Sequence, residues 1–299
     1  MFIFDEDKVI EIFCKLDDLM IEFKKFEAEN YLFAFNHNPT RKPGLADSEI
    51  ITILVLYHQS GYKTFKDFYT RFALKALKPY FPKIVSYDRF LTLMKRVLMS
   101  IMGIIQILCL SMGRNGICFV DGTKLPVCHN RRAKRNKVFD GIARSGKTSM
   151  GWFFGLKLHL VCNELGELVA FKITSGNVAD NNHETLKYLF KSIQGKVFGD
   201  KGYLTKLKEY FLERGLNVVA KYKDKMYKKL KNNVAPLEDF LFSSKRGIIE
   251  TINDLLKNNC DIWHTRHRSP LNAIIHLVAG LIAYQLRDVK PNIFSELSI

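Results

Sequence analysis

Apolar residues recur near helical spacing from Lys8 to Phe26, at Val9, Ile12, Phe13, Leu16, Leu19, Met20 and Phe23. That period predicts an amphipathic helix. A polar segment with two prolines, Asn36–Gly44, follows. Asp47 then reads as an N-cap, with Ser48 and Glu49 in the first turn. Ile50–Tyr57 is apolar on every side, the pattern of a helix buried all round, and Gly61 closes it. Lys63–Ala73 is shorter and amphipathic, with Lys63, Lys66 and Arg71 on its polar side. Pro79 and Pro82 break the chain, and Ser86 is predicted to cap a long helix ending near Met112. Residues 1–113 therefore read as an all-helical domain. Its short helices with basic exposed residues leave two uses open: a helix-turn-helix-like DNA reader, or a plain helical bundle.

The period changes at Gly116. Ile117–Val120 is a short β-prone run that stops on a carboxylate, Asp121. A basic loop is expected over Lys124–Lys147. Trp152–Cys162 alternates, with Leu156, Leu158, Leu160 and Cys162 on one face and Lys157 and His159 on the other. Asn163–Gly166 turns the chain into Glu167–Ile173, which completes a hairpin. Asp180–Asn182 is expected to cap a helix reaching about Ile193. Lys196–Gly199 is a strand that stops on Asp200, and Thr205–Arg214 is helical up to Gly215. Leu216–Ala220 is a fifth strand, Lys221–Lys231 a Lys-rich connector, and Lys245–Asn258 and Pro270–Leu286 are helices. Three antiparallel strands running into a parallel, helix-flanked part predict an α/β class. The expected architecture is a ribonuclease H-like core at 114–299, a mixed five-stranded sheet with flanking helices, preceded by the helical domain 1–113.

Charge narrows the partner. Lys plus Arg is 46 and Asp plus Glu is 30, a net charge of +16, which implies a polyanion such as nucleic acid or an anionic membrane. The uncharged run between Arg96 and Arg114 is short for a membrane span and carries Ser100, Gln106 and Ser111, so a buried helix and no membrane role are expected. Six scattered cysteines without a Cys-x-x-Cys pair, and an N-terminus without a secretory pattern, suggest a reducing cytoplasm.

A strand that ends on an acid needs a partner or a use for it. Asp121, Asp200 and Glu250 become a candidate metal site if the fold brings them together. Gathered carboxylates repel, and hard divalent cations with oxygen ligands relieve this. Two such ions about 3.5–4 Å apart serve an in-line phosphoryl displacement. Around Glu250, positions Arg246, Glu250, Asp254 and Lys257 form one polar helical stripe, suited to a metal in the middle and phosphates at its ends, with Asp254 a rival to Glu250. Gly141–Thr148 fits a P-loop pattern. The strand-like run after it argues against nucleotide binding and for a basic loop on the DNA backbone, with Arg131, Arg132, Lys134, Arg135, Arg144 and Lys147 as contacts.

Seven stretches together carry a resemblance: Phe119–Thr123, Cys128–Asn130, Gly146–His159, Gly176–Asn177, Phe198–Tyr203, Ile248–Asn253 and His264–Pro270. Over most of its length the chain resembles bacterial insertion-sequence transposases of the DDE class, most closely the insertion sequence 982 family. The resemblance implies a catalytic and metal-binding triad of Asp121, Asp200 and Glu250 with two Mg²⁺ ions, Mn²⁺ being an alternative. It further implies that the enzyme binds the inverted-repeat ends of its element, cuts phosphodiester bonds and transfers strands to target DNA as a homo-oligomer on double-stranded DNA in the cytoplasm, associated with the nucleoid. Related enzymes place a Tyr, Arg, Glu and Lys around the third acid. Arg246, Glu250 and Lys257 match, with Arg246 and Lys257 expected to steady phosphates, while Ser243 stands at the Tyr position. Gly122 stands where a small hydroxyl residue is expected. The rival readings are a non-catalytic DNA-binding protein, such as a decayed transposase or a repressor of its element, and a P-loop ATPase.

Overall fold

The computed structural model describes residues 5–30, 43–148, 151–220, 237–263 and 267–294. The Lys-rich connector at 221–231, most of the polar segment after Asn36, and residues 149–150 and 264–266 of the resembling stretches lie outside the described residues. The helices are α1 (Glu6–Glu29), α2 (Asp47–Gln59), α3 (65–76), α4 (Tyr87–Leu110), α5 (His183–Leu189), α6 (Lys208–Leu212), α7 (Leu237–Ser244), α8 (Gly247–Asn258) and α9 (Pro270–Gln285). The strands are β1 (Asn115–Cys128), β2 (Arg144–Thr148), β3 (Gly151–Asn163), β4 (Leu168–Ser175), β5 (Gln194–Gly199) and β6 (Leu216–Ala220). Two compact units form: Met1–Leu108 with Leu255–Arg287, and Cys109–Asp254 with Asp288–Ile299. Compactness thus groups α9 with the N-terminal helices, where a linear reading had placed it after residue 113 with the strands.

The first unit is helical. Its centre is α2, buried without interruption from Ile50 to His58 and packed on α1 and α9. Asp47 does not cap it. Ala46 holds the cap position and its N–H is taken by Glu49 Oε2 at 2.6 Å, while Asp47 accepts from Arg96 Nε at 2.6 Å. The acid was free for this pairing because Glu49 reaches back over one turn. Ser86 stands at the start of α4 without a side-chain capping bond. By length and composition α4 could cross a membrane. Its buried residues, Phe90, Met94, Val97, Ile101, Ile104 and Ile105, follow one another at the three- and four-residue steps of a helix with one face in a protein core.

The second unit is a mixed α/β sheet in the order β2-β3-β1-β5-β6, with β4 also paired to β3. β1, β2 and β4 are all antiparallel to β3, and β5 joins β1 and β6 in parallel. β2 and β4 share one edge of β3, against Gly151–Gly155 and Leu156–Cys162. The succession is compatible with a ribonuclease H-like core. Two elements were hidden in the stretch read as a basic loop: β1 runs on to Cys128, and β2 adds a sixth strand. Leu125 and Val127 are buried there between Lys124, Pro126 and Cys128, so the strand alternation was present under the charge. One side of the sheet packs Cys118, Val120, Val161, Val169 and Val197 on α5, α6 and the Tyr203 ring. On the other, the Phe119 and Phe198 rings lie 5.9 Å apart and Phe242 of α7 lies 6.0 Å from Phe198.

Phe119 is fully buried beneath the start of the acid-bearing segment. Phe119→Ala is expected to cost about 3–5 kcal/mol, read as a lower midpoint in urea unfolding. A loss below about 1 kcal/mol would mean that this ring is not part of the core.

Candidate active site

The parallel register of β1 and β5 ends at Phe119 opposite Phe198. Two residues further on come Asp121 and Asp200. Side chains alternate with a period of two, so both acids inherit the parity of the two phenylalanines. The strands therefore deliver the two carboxylates at the point where they part. Asp200 is steadied by its own turn, its Oδ1 accepting from the Gly202 N–H at 2.7 Å. Asp121 Oδ2 accepts from Asn253 Nδ2 of α8 at 2.8 Å. Burial pushes the Asp121 carboxyl up to about 6. The negative charges of Asp200 and Asp180 add to the shift, and the Gly122 backbone hydrogen bond and the Arg246 charge oppose it.

Glu250 is placed differently. Its helix is pinned to Asp121 through Asn253, three residues on, but its own carboxylate is 59% exposed and accepts from Arg246 Nη2 at 2.8 Å. Asp254 is also exposed. Among the described residues no three acids, histidines or cysteines stand close enough to hold one ion. The structure thus brings Asp121 and Asp200 near each other and leaves Glu250 paired with Arg246. The donors are all oxygens, and Asp121 is short of positive charge, so the residues fit a hard divalent cation.

A second polar group was not anticipated. Lys157 and His159 alternate on β3 as a solvent-facing pair would, yet both are buried. Asp180 accounts for this. Of the cap expected over Asp180–Asn182, Asn182 takes the role, accepting from the Thr185 N–H at 3.0 Å. Asp180 Oδ1 instead accepts from Lys157 Nζ at 3.1 Å, and the same ammonium donates to the Val178 carbonyl at 2.9 Å. His159 Nε2 meets Thr174 Oγ1 at 3.0 Å. Burial, with Lys157 and Lys172 adding, pushes His159 down to about 4. Tyr203 is 1% exposed and its hydroxyl has no hydrogen-bond partner among the described residues. The one trace of this group in the sequence is two polar residues at alternate positions inside an apolar strand.

Arg131, Arg132, Lys134 and Arg135 are exposed on a 3₁₀ turn, Asn130–Arg135. Arg144 and Lys147 are exposed on β2, a strand edge rather than the expected loop. The Lys147 ammonium lies 5.8 Å from the centre of the Trp152 ring, which is 64% exposed. No helix starts at Lys147-Thr148, so the P-loop geometry is not formed. Lys257 sits over the Trp263 ring at 5.0 Å.

The two shifted groups set opposing pH slopes. Asp121 titrates near 6 when folded and near 3.8 otherwise, so its share of stability is complete below about 4 and is lost as pH rises through 6. His159 titrates near 4 when folded and near 6.5 otherwise. Its share is present above 6.5 and is lost as pH falls through 4. In chelator, Asp121→Asn leaves only the His159 slope. The variant is expected to be more stable than the parent at pH 7, by roughly 2 kcal/mol, and to lose stability more steeply from pH 6.5 to 4. Parallel urea midpoints across that range for the two proteins would refute the shift at Asp121.

A search of curated proteins gives no match to this chain. The family model described as a transposase DDE domain matches residues 112–270. That span holds Asp121, Asp180, Asp200 and Glu250, every strand of the sheet and the basic turn. With more than half of its length matched, and with the sheet and its acids inside the match, the chain belongs to the transposase DDE-domain family.

Proposed function

We propose that the chain is a metal-dependent DNA transposase that binds the ends of its own element, cleaves phosphodiester bonds there and joins the freed strands to a target. The observation that carries this reading is the pair Asp121 and Asp200, each two residues past the last paired positions of β1 and β5 and near enough for the charge of Asp200 to raise the Asp121 carboxyl, inside the family-matched span. Asp121, Asp200 and Glu250 would hold the divalent cations, Mg²⁺ in the first instance. Such cations supply charge neutralisation and Lewis acidity at the scissile phosphate. The protein's own residues do the rest. Asn253 fixes the direction of the Asp121 carboxylate. Arg246 holds Glu250 out of the cluster until a phosphate competes for the guanidinium, after which both groups are free to act. The 130–135 turn and β2 offer six exposed cations, Arg131, Arg132, Lys134, Arg135, Arg144 and Lys147, for the DNA backbone. Lys257 is assigned to phosphate as well. The helical unit is assigned to recognition of the element's ends, and the working form to a homo-oligomer assembled on double-stranded DNA. The core is read as ribonuclease H-like, and the setting as the cytoplasm.

Asp121→Asn and Asp200→Asn are each expected to lower Mg²⁺-dependent cleavage of end-containing DNA by about 100-fold or more, a barrier change of roughly 3 kcal/mol, while DNA binding stays within a few-fold. Full cleavage by Asp200→Asn would remove that residue from the mechanism. Arg132→Ala combined with Arg135→Ala is expected to weaken binding to all sequences alike and to flatten the dependence of log K on log salt by about one per lost phosphate contact. An unchanged slope would place the DNA elsewhere.

A further inference from the structure

The polar group around Asp180 is unusual in its position. Gly122, next to Asp121 in the chain, has no free space above it. A methyl there would stand 2.5 Å from Asp180 Oδ1 and 3.3 Å from the Tyr203 hydroxyl. Gly202, two residues after Asp200, has the same neighbour. A methyl there would stand 2.8 Å from Asp200 Oδ1 and 3.5 Å from Asp180 Oδ2. One oxygen of Asp180 thus lies over Gly122, next to Asp121 in the chain, and the other lies near Gly202, in the turn that also holds the Asp200 carboxylate. The first is held by Lys157, whose side chain is only 8% exposed. The second has no cation beside it among the described residues.

Two buried polar atoms near this carboxylate have no hydrogen-bond partner among the described residues. The Tyr203 hydroxyl is one. The other is His159 Nδ1, which is 3.7 Å from Asp180 Oδ1 and has no hydrogen-bond partner among the described residues. Buried donors and acceptors are seldom left unsatisfied, and exceptions mark strain, chemistry or a missing ion. A plain structural ion pair between Lys157 and Asp180 explains the first oxygen only. It does not explain an acid turned toward another acid with an idle hydroxyl at its side.

We propose that Asp180 is a fourth carboxylate of the centre, holding a divalent cation jointly with Asp200 through Oδ2, with Lys157 and Tyr203 as positioning residues. The proposal rests on the metal-dependent reading above. It also accounts for Gly122: a side chain at that position would push Asp180 away from the cluster.

The test is calorimetric titration of the full-length protein with MnCl₂, without DNA. Asp180→Asn is expected to weaken Mn²⁺ binding at least about tenfold, and Tyr203→Phe to weaken it by a smaller factor. Because Asp180→Asn strands a buried ammonium, the double variant Lys157→Met/Asp180→Asn is measured beside it. If Asp180 only neutralises Lys157, the double variant binds Mn²⁺ like the parent, and the proposal falls. If Asp180 holds the ion, the double variant melts like the parent and still binds weakly. Asp121→Asn separates the two readings. Loss of Mn²⁺ in Asp121→Asn with parental affinity in Asp180→Asn overturns this proposal alone, whereas a parent protein that binds no Mn²⁺ overturns it together with the metal-dependent function.

Discussion

One constraint organises the second unit: a carboxylate, Asp121, is taken out of water in the middle of a strand with other acids beside it. Burial alone raises the cost of its charge, and Asp200 and Asp180 raise it further. The Gly122 backbone hydrogen bond and the Arg246 charge offset it in part, and Asn253 of α8 donates a hydrogen bond to the same carboxylate. That explains why a helix far along the chain must lie against β1. The hydrogen bond from Asn253 requires α8 to approach in one orientation, and the buried Ile249 and Ile252 hold it there. Glu250 follows from the same placement. Three positions before Asn253 on the same helix, its exposed carboxylate pairs with Arg246.

β3 is the second organising element. It pairs with β1 on one edge and with both β2 and β4 on the other. Its apolar residues Leu158 and Leu160 are buried opposite Thr123 and Asp121. Its polar residues Lys157 and His159 stand opposite Lys124 and Gly122. The side chain at 122 is missing, so Asp180 can descend into the gap and pair with Lys157. A buried lysine is tolerated only with such a partner. His159 remains neutral at pH 7 beside it, its imidazole depressed by burial and by two lysines. The close fit at Gly122 and Gly202 means that the positions of three acids are set by backbone as much as by side-chain rotamers.

The basic surface is similarly a consequence of chain geometry. The +16 net charge is a property of the whole sequence, but a run of cations becomes an interaction surface only if they share one side of the molecule. The 3₁₀ turn at Asn130–Arg135 exposes four of them in six residues, and Asn130 ties that turn to β3 through the Trp152 carbonyl at 2.6 Å. Trp152, largely exposed with Lys147 over its ring, adds a flat apolar face next to the cations. Rings next to cations suit a nucleic acid, whose bases stack and whose phosphates pair.

Local signals determined much of this protein. Hydrophobic period placed α1, α2, α4 and α9, because amphipathic or fully apolar helices show their burial in the order of residues. Alternation placed β3 and β4, and the strand-then-acid pattern singled out Asp121 and Asp200. The family was also legible, since its motifs are contiguous. What stayed hidden depended on contacts between distant residues. Asp47 looked like a cap because its use by Arg96 is invisible along the chain. The end of β1 and the whole of β2 were masked by charges that point to water while Leu125 and Val127 point inward. Alternation put Lys157 and His159 on the face opposite the leucines, but nothing in their own strand announces that Asp180 pairs with Lys157 there. Glu250 was identified by its place on a helix, but only the tertiary structure shows its carboxylate held by Arg246, since the rotamer of an exposed side chain is set by its neighbours in space and not by its position in the sequence.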